Sequence, residues 1–182
     1  YVKESTHMGI TVLPPDVNES VTEFHVVDDH SIRFGLLGVK NVGQTAIESI
    51  VANRNADGAY HSLHDLCERV DLRLVNRKVT ESLIKSGACD CFGLRRAQLM
   101  AMIDQALDMG AKTQRDKASG QFSFFNMEDE VGGFAKEKEP VPDIREWPQP
   151  QILAYEKETL GFYISGHPLA HYHAEIREFA DF

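Results

Sequence analysis

From residue 36 to about residue 110, apolar side chains recur at helical spacing and are interrupted at short intervals by glycine. Short helices joined by tight turns satisfy that pattern, and a sheet does not. Ala46, Ile47, Ile50 and Val51 share one face of a helix predicted to end near Asn55. Leu63, Leu66 and Cys67 line a second helix, and Val79, Leu83 and Ile84 a third. A fourth is predicted from Leu94 to about Met109, with Leu99, Met102, Ile103 and Ala106 on one side. Asn76 is placed to cap the third helix, and Gly58, Gly87, Gly93 and Gly110 fall where helices should stop.

The flanks differ. In residues 9 to 35, Ile10–Leu13 ends at Pro14-Pro15, and Glu23–Val27 faces Ser31–Phe34 across Asp28-Asp29-His30, as in a small β region with a hairpin loop. Asp28 and Asp29 stand where turns favour aspartate, and consecutive residues of an extended segment point apart, so they do not suggest a metal-binding pair. Residues 111–150 are rich in Lys, Gln, Ser, Gly, Glu and Pro, which predicts a mobile connector. After Pro150 a helix carrying Ile152, Leu153, Tyr155 and Leu160 should stop at Gly161. A short strand, Phe162–Ile164, is expected next, then a turn at Gly166-His167-Pro168 and a final helix from about Leu169 to Arg177. The fold class is therefore α+β, mainly α, in four segments: 1–35, 36–110, 111–150 and 151–182.

The net charge of -9 is unevenly spread. Residues 33 to 120 hold 13 of the 19 Lys and Arg but 10 of the 28 Asp and Glu, a local excess of +3, so the middle is basic and the ends acidic. Screening over about 10 Å lets a local positive face meet phosphate although the whole chain repels it. No apolar run is long enough for a membrane span. Tyr1–Ser5 show no signal core and read like helix interior, as in a piece of a longer protein. Three cysteines, Cys67, Cys89 and Cys91, are too few for a disulfide framework and suggest a reducing compartment, the cytoplasm. One residue between Cys89 and Cys91 is short for zinc, and no second ligand pair stands at suitable spacing. Histidines such as His61, His64, His171 and His173 are scattered, so neither a metal site nor a cofactor is expected.

The stretch Leu36-Leu37-Gly38-Val39-Lys40-Asn41-Val42-Gly43-Gln44-Thr45-Ala46-Ile47 resembles the helix-hairpin-helix motif. The motif needs a turn that bares consecutive backbone N–H groups at a helix N-terminus, where unpaired donors and the helix dipole attract a phosphate oxygen. Gly43 keeps side chains out of the way, Ala46 lets helices lie close, and Lys40 adds charge. The family usually has glycine where Asn41 stands, and asparagine tolerates the positive φ this position requires. Leu83–Asp90 and Gly93–Leu99 form a second helix, glycine-flanked hairpin and helix, as in a tandem arrangement around a pseudo-dyad, with Cys89 and Cys91 expected as packing thiols. Arg95 and Arg96 either reach phosphate or face water. The resemblance thus implies DNA-backbone binding through Gly38, Val39, Lys40, Asn41, Val42, Gly43, Gln44, Arg95 and Arg96.

A wider resemblance covers nearly the whole chain. Met8–Ser20, Ile32–Leu36, the first hairpin, Ser86-Gly87-Ala88 and Glu156–Leu169 are similar to the bacterial DNA polymerase III alpha subunit family. The region is the one after the palm and fingers, stopping where a single-strand-binding OB domain would begin. It implies a fingers-proximal β segment, a tandem helix-hairpin-helix core, a connector and a C-terminal segment leading to the OB domain. Gln121-Phe122-Ser123-Phe124-Phe125 is similar to the family's sliding-clamp-binding pentapeptide, with Phe124 in place of the usual Leu. In that reading Gln121 bonds at the rim of a clamp pocket that Phe124 and Phe125 fill; the alternative is docking on the module's own helices. The implied partners are duplex DNA, the clamp and the remaining polymerase domains. The parent protein would be a DNA-directed DNA polymerase, while no acidic pair here has a setting for two-metal catalysis. A purely structural connector that orients the OB domain is the rival expectation, and a nuclease or glycosylase would require a catalytic Lys or Asp in a pocket.

Overall fold

The computed structural model describes residues 9–119 and 141–166. The pentapeptide Gln121–Phe125, residues 1 to 8 and the helix expected from Leu169 to Arg177 lie outside the described residues. Three strands come first: β1 (Thr11–Leu13), β2 (His25–Asp28) and β3 (Ser31–Arg33). Five helices follow: α1 (Gln44–Asp57), α2 (Leu63–Arg69), α3 (Arg77–Lys85), α4 (Arg96–Ala118) and α5 (Gln149–Leu160). Single 3-10 turns, Leu36–Gly38 and Asp90–Phe92, precede α1 and α4.

The sheet has the order β1-β3-β2, β1 running parallel and β2 antiparallel to β3. The expected hairpin is present, and its aspartate acts locally: the His30 amide donates to Asp28 Oδ1 at 2.8 Å, closing an Asx turn. The sheet is fastened to the helices through residues 16–20. Val17 is fully buried and its amide donates to the Ala88 carbonyl at 2.9 Å. The Ser20 hydroxyl donates to the Phe34 carbonyl, and the Arg54 guanidinium donates to the carbonyls of Val17 and Ser20. One apolar cluster consequently runs from Val17 through Leu36, Ile47, Leu83 and Ile103 to Leu160. Each of its fully buried Leu and Ile side chains contributes roughly 1.5–3 kcal/mol of burial.

Asn76 caps α3 as expected, its side chain accepting from the Val79 amide at 3.2 Å. Helix α4 departs from expectation by continuing through Gly110 to Ala118. Gly110 is not a stop. A Cβ there would meet the Cys67 carbonyl oxygen at 2.5 Å, so the missing side chain is what lets α4 lie against α2. One turn later Gln114 Nε2 donates to the carbonyls of Cys67, Glu68 and Val70, satisfying the C-terminal end of α2.

Two further expectations need correction. Residues 141–148, assigned to a mobile connector, form a strap packed across the start of α4. The expected strand Phe162–Ile164 is a series of bends, because the amides of Ile164 and Ser165 turn back to Glu156 Oε2 at 2.8 and 3.0 Å. The helix before it does stop at Gly161, which takes φ 84. Among the described residues no helix is long and apolar enough to cross a membrane, and no group of His, Cys, Asp or Glu is arranged to hold a metal ion.

Candidate nucleic-acid interface

The first hairpin begins where the sheet ends. Phe34 is buried, and its ring lies so close to Gly38 that a Cβ on Gly38 would come within 2.4 Å of it. The absence of a side chain at Gly38 therefore serves packing. The chain then alternates in and out: Val39 and Val42 are buried, while Lys40, Asn41, Gly43 and Gln44 are exposed. Asn41 has φ 69, the positive-φ conformation expected of it, and its Nδ2 donates to Ser82 Oγ on α3 at 3.0 Å. The turn is thus held by two buried valines below and one side-chain bond at the rim.

Its amides are not all bare. Lys40 N donates to the Thr159 carbonyl at the end of α5 (2.8 Å), and Val42 N donates to Val39 O (3.1 Å). The expected consecutive run of open donors is therefore interrupted. The amides of Asn41 and Gly43 have no hydrogen-bond acceptor among the described residues. Gly43 is the N-cap of α1 and supplies no side-chain cap, and the first turn of that helix contains no acidic residue. Gln44 is exposed and its side-chain Nε2 donates to Glu48 Oε1, one turn along the helix. Gly43 itself has φ -83, and a Cβ built on it would meet nothing within 4 Å. Neither strain nor packing accounts for glycine at this position.

The second hairpin joins α3 to α4 and is closed where the first is open. Gly87 has φ 85, and a Cβ there would come within 2.3 Å of the Arg96 guanidinium. Arg96, expected as a phosphate contact, is 8% exposed and committed internally. It donates to Asp90 at 2.7 and 2.9 Å and to Glu156, which is fully buried, at 3.1 Å. Burial alone would lower its pKa, but Asp90 and Glu156 outweigh burial and raise it. The correction has a physical reason: a buried guanidinium with two carboxylate partners has no face left for a phosphate.

The N-terminus of α4 is also filled. Glu146 accepts from the amides of Arg96 (2.8 Å), Ala97 (3.0 Å) and Trp147 (2.9 Å). Burial pushes the Glu146 carboxyl up, yet these three donors and the Arg96 charge hold it below its ordinary value. Gln98 and Arg95 pin the same strap through the carbonyls of Pro142 and Ile144. Arg95 stays about half exposed, with Asp143 3.9 Å from its guanidinium. Cys89 is fully buried as a packing thiol, whereas Cys91 is exposed, which corrects its expected place in the core. Glu146, Glu156 and Thr159, the residues that close one hairpin and brace the other, gave no local signal for those roles, because the contacts that do so span at least 49 positions of chain.

Two hairpins of this kind, each leading from a tight turn into a helix, define the class: the chain belongs to the helix-hairpin-helix motif family, whose pattern matches residues 9–99. Almost its whole length is also similar to one protein. It is 38% identical over 178 residues to the DNA polymerase III subunit alpha of Vibrio cholerae, covering 98% of this chain, and 39% identical over 182 residues to that of Escherichia coli K12. The subunit of Mycobacterium leprae is 44% identical over 169 residues, 93% of this chain. The chain spans 14–15% of the length of these curated relatives.

Proposed function

We propose that this chain is the part of a DNA polymerase III alpha subunit that holds duplex DNA by its sugar-phosphate backbone, without regard to sequence, in the bacterial cytoplasm. The observation that carries the reading is Gly43. It leaves the Asn41 and Gly43 amides at the start of α1 uncovered, at a helix end without an acidic residue in its first turn, and nothing among the described residues requires a glycine there. A phosphate oxygen approaching Asn41 and Gly43 would meet two unpaired donors and the positive end of a 14-residue helix dipole, with Lys40 beside them. Such contacts position DNA without reading bases and suit an enzyme that must slide.

The second part of the reading concerns Gln121–Phe125. Tethering through this segment to a ring around DNA would raise the effective concentration of polymerase at the primer end and so favour processive synthesis. In this reading the catalytic residues of the polymerase belong to other parts of the longer protein.

Fluorescence anisotropy with a labelled duplex tests the first part. Gly43→Val should weaken binding equally for unrelated sequences and leave the melting temperature near that of the wild type; unchanged affinity would overturn the reading. For the tether, changing Gln121, Phe124 and Phe125 to Ala should abolish clamp binding without altering the melting temperature. A lowered melting temperature would show that these side chains dock on the module itself.

A further inference from the structure

The bond from Asn41 Nδ2 to Ser82 Oγ sets the open turn against α3 at a known register. Residues four apart on a helix share a face, so Lys78 stands about one turn, roughly 5.4 Å, from Ser82 along that face. Between them Val79 and Thr80 turn inward and are buried, while Lys78 is exposed. Helical side chains tilt toward the N-terminus of their helix. The Lys78 side chain therefore leaves its helix on the side away from Ser82 and the turn.

The other cations of α3 are already engaged. Arg77 is paired with Glu81 at 2.9 Å and with Asp104 on α4. Lys85 is paired with Glu158 at 3.5 Å and lies over the Tyr155 ring. Lys78 and Lys40 have no ion-pair or hydrogen-bond partner for their side chains among the described residues. The carboxylates nearest this edge in sequence are satisfied too, Glu81 by Arg77 and Glu48 by Gln44.

We propose that Lys78 binds a second phosphate, next along the same DNA strand from the one held at the Asn41 and Gly43 amides, so that the site is a short track across α1 and α3. This rests on the hairpin reading above and adds to it a residue on the opposing helix. Lys40 belongs to the turn and Lys78 to the exposed side of the helix that Asn41 is bonded to, so a strand crossing the turn would meet Lys40, the amides and Lys78 together. Because the contact is a flexible point charge, it adds affinity and salt dependence without base preference.

The test is duplex affinity of the chain as a function of salt, from about 50 to 200 mM, for two unrelated sequences. Lys78→Ala should reduce the slope of log affinity against log salt by about 0.9, equally for both, and Lys78→Arg should restore it. Lys112→Ala removes an exposed lysine of α4 outside the hairpin and should leave the slope unchanged. If Lys78→Ala keeps the wild-type slope while Gly43→Val and Lys40→Ala lower affinity, the track is refuted and the hairpin stands. If none of these variants weakens binding, the hairpin reading falls with it. Equal losses for Lys78→Ala and Lys112→Ala would reduce the effect to bulk charge and overturn the proposal. Melting temperatures of the variants verify that each is folded.

Discussion

The two hairpins share an outline and differ in what occupies the helix that leaves them. At the first, α1 starts with an uncapped Gly43, an exposed Lys40 and no carboxylate in its first turn. At the second, α4 starts under a carboxylate, Glu146, that takes two of its amides, and the arginine beside it is buried between Asp90 and Glu156. Their glycines differ in the same sense. Gly87 makes room for Arg96 inside the protein, whereas Gly43 makes room for nothing among the described residues. Unpaired donors at a helix end are satisfied by protein, water or ligand. One hairpin has used its own chain for this, and the other has left the position open. The two copies have thus diverged: one holds the fold together, and the other leaves its helix end open, as the proposed contact with a phosphate requires.

That division can be broken by mutation, and the largest effect should fall on the closed hairpin. Arg96→Ala would strand the fully buried Glu156 without its cation and is expected to cost about 3 kcal/mol, measured by chemical denaturation. A loss below about 1 kcal/mol would mean that the triad is solvated and that the hairpin is not held shut by charge. Next come the glycines, substituted alike. Gly87→Ala forces a Cβ into positive φ and into the guanidinium, for about 2 kcal/mol of destabilisation. Gly43→Ala should remain within about 1 kcal/mol of wild type, because the lost N-cap preference and the reduced freedom of the unfolded chain oppose each other. Equal costs at both positions would erase the distinction between them.

Much of this architecture was readable from residue spacing. The helical faces around Ile47, Leu66, Leu83 and Ile103, the cap at Asn76, the β hairpin at Asp28 and the positive φ of Asn41 all depend on near neighbours, and local patterns report near neighbours. The residues that were misread depend on distant ones. Gly110 has the composition of a helix stop, but its environment is the backbone of α2 more than forty positions away. Arg96 looks like a surface cation until Glu156 is placed beside it. The strap at 141–148 is rich in proline and charge, as connectors are, yet Glu146 finds the two free amides of a long helix. A carboxylate has no sequence period that announces such a partner.

The strap gives the next smaller effect. Glu146→Gln removes the charge and turns one of the two accepting oxygens into an NH2 group facing an amide donor, so it should cost about 1–1.5 kcal/mol. The same contact sets a pH dependence. The folded carboxyl is held below its ordinary value, near 4.5, so the stabilisation is complete above about pH 5 and is lost as pH falls through 4.5 toward the folded value. Trp147, the only tryptophan, stacks edge-on against Tyr155 with ring centroids 4.7 Å apart and reports on the strap directly. Its emission should be steady from neutral pH to about pH 5 and change below it, and Glu146→Gln should remove that transition. A transition that survives in the variant would place the titrating group elsewhere.

The smallest change returns to the open hairpin. Asn41→Gly removes the side-chain bond to Ser82, a contact worth about 0.5–1.5 kcal/mol, and relieves the cost of an asparagine at φ 69. Glycine also frees the unfolded chain, which lowers stability further by about 0.4–1 kcal/mol. The sum should be a loss of about 1 kcal/mol, seen as a small fall in melting temperature. Duplex affinity should move the other way or stay level, since a bare turn admits a phosphate more closely. If affinity instead falls together with stability, the asparagine is holding the turn in its binding conformation against α3, and the open hairpin owes its readiness to Ser82 as much as to Gly43.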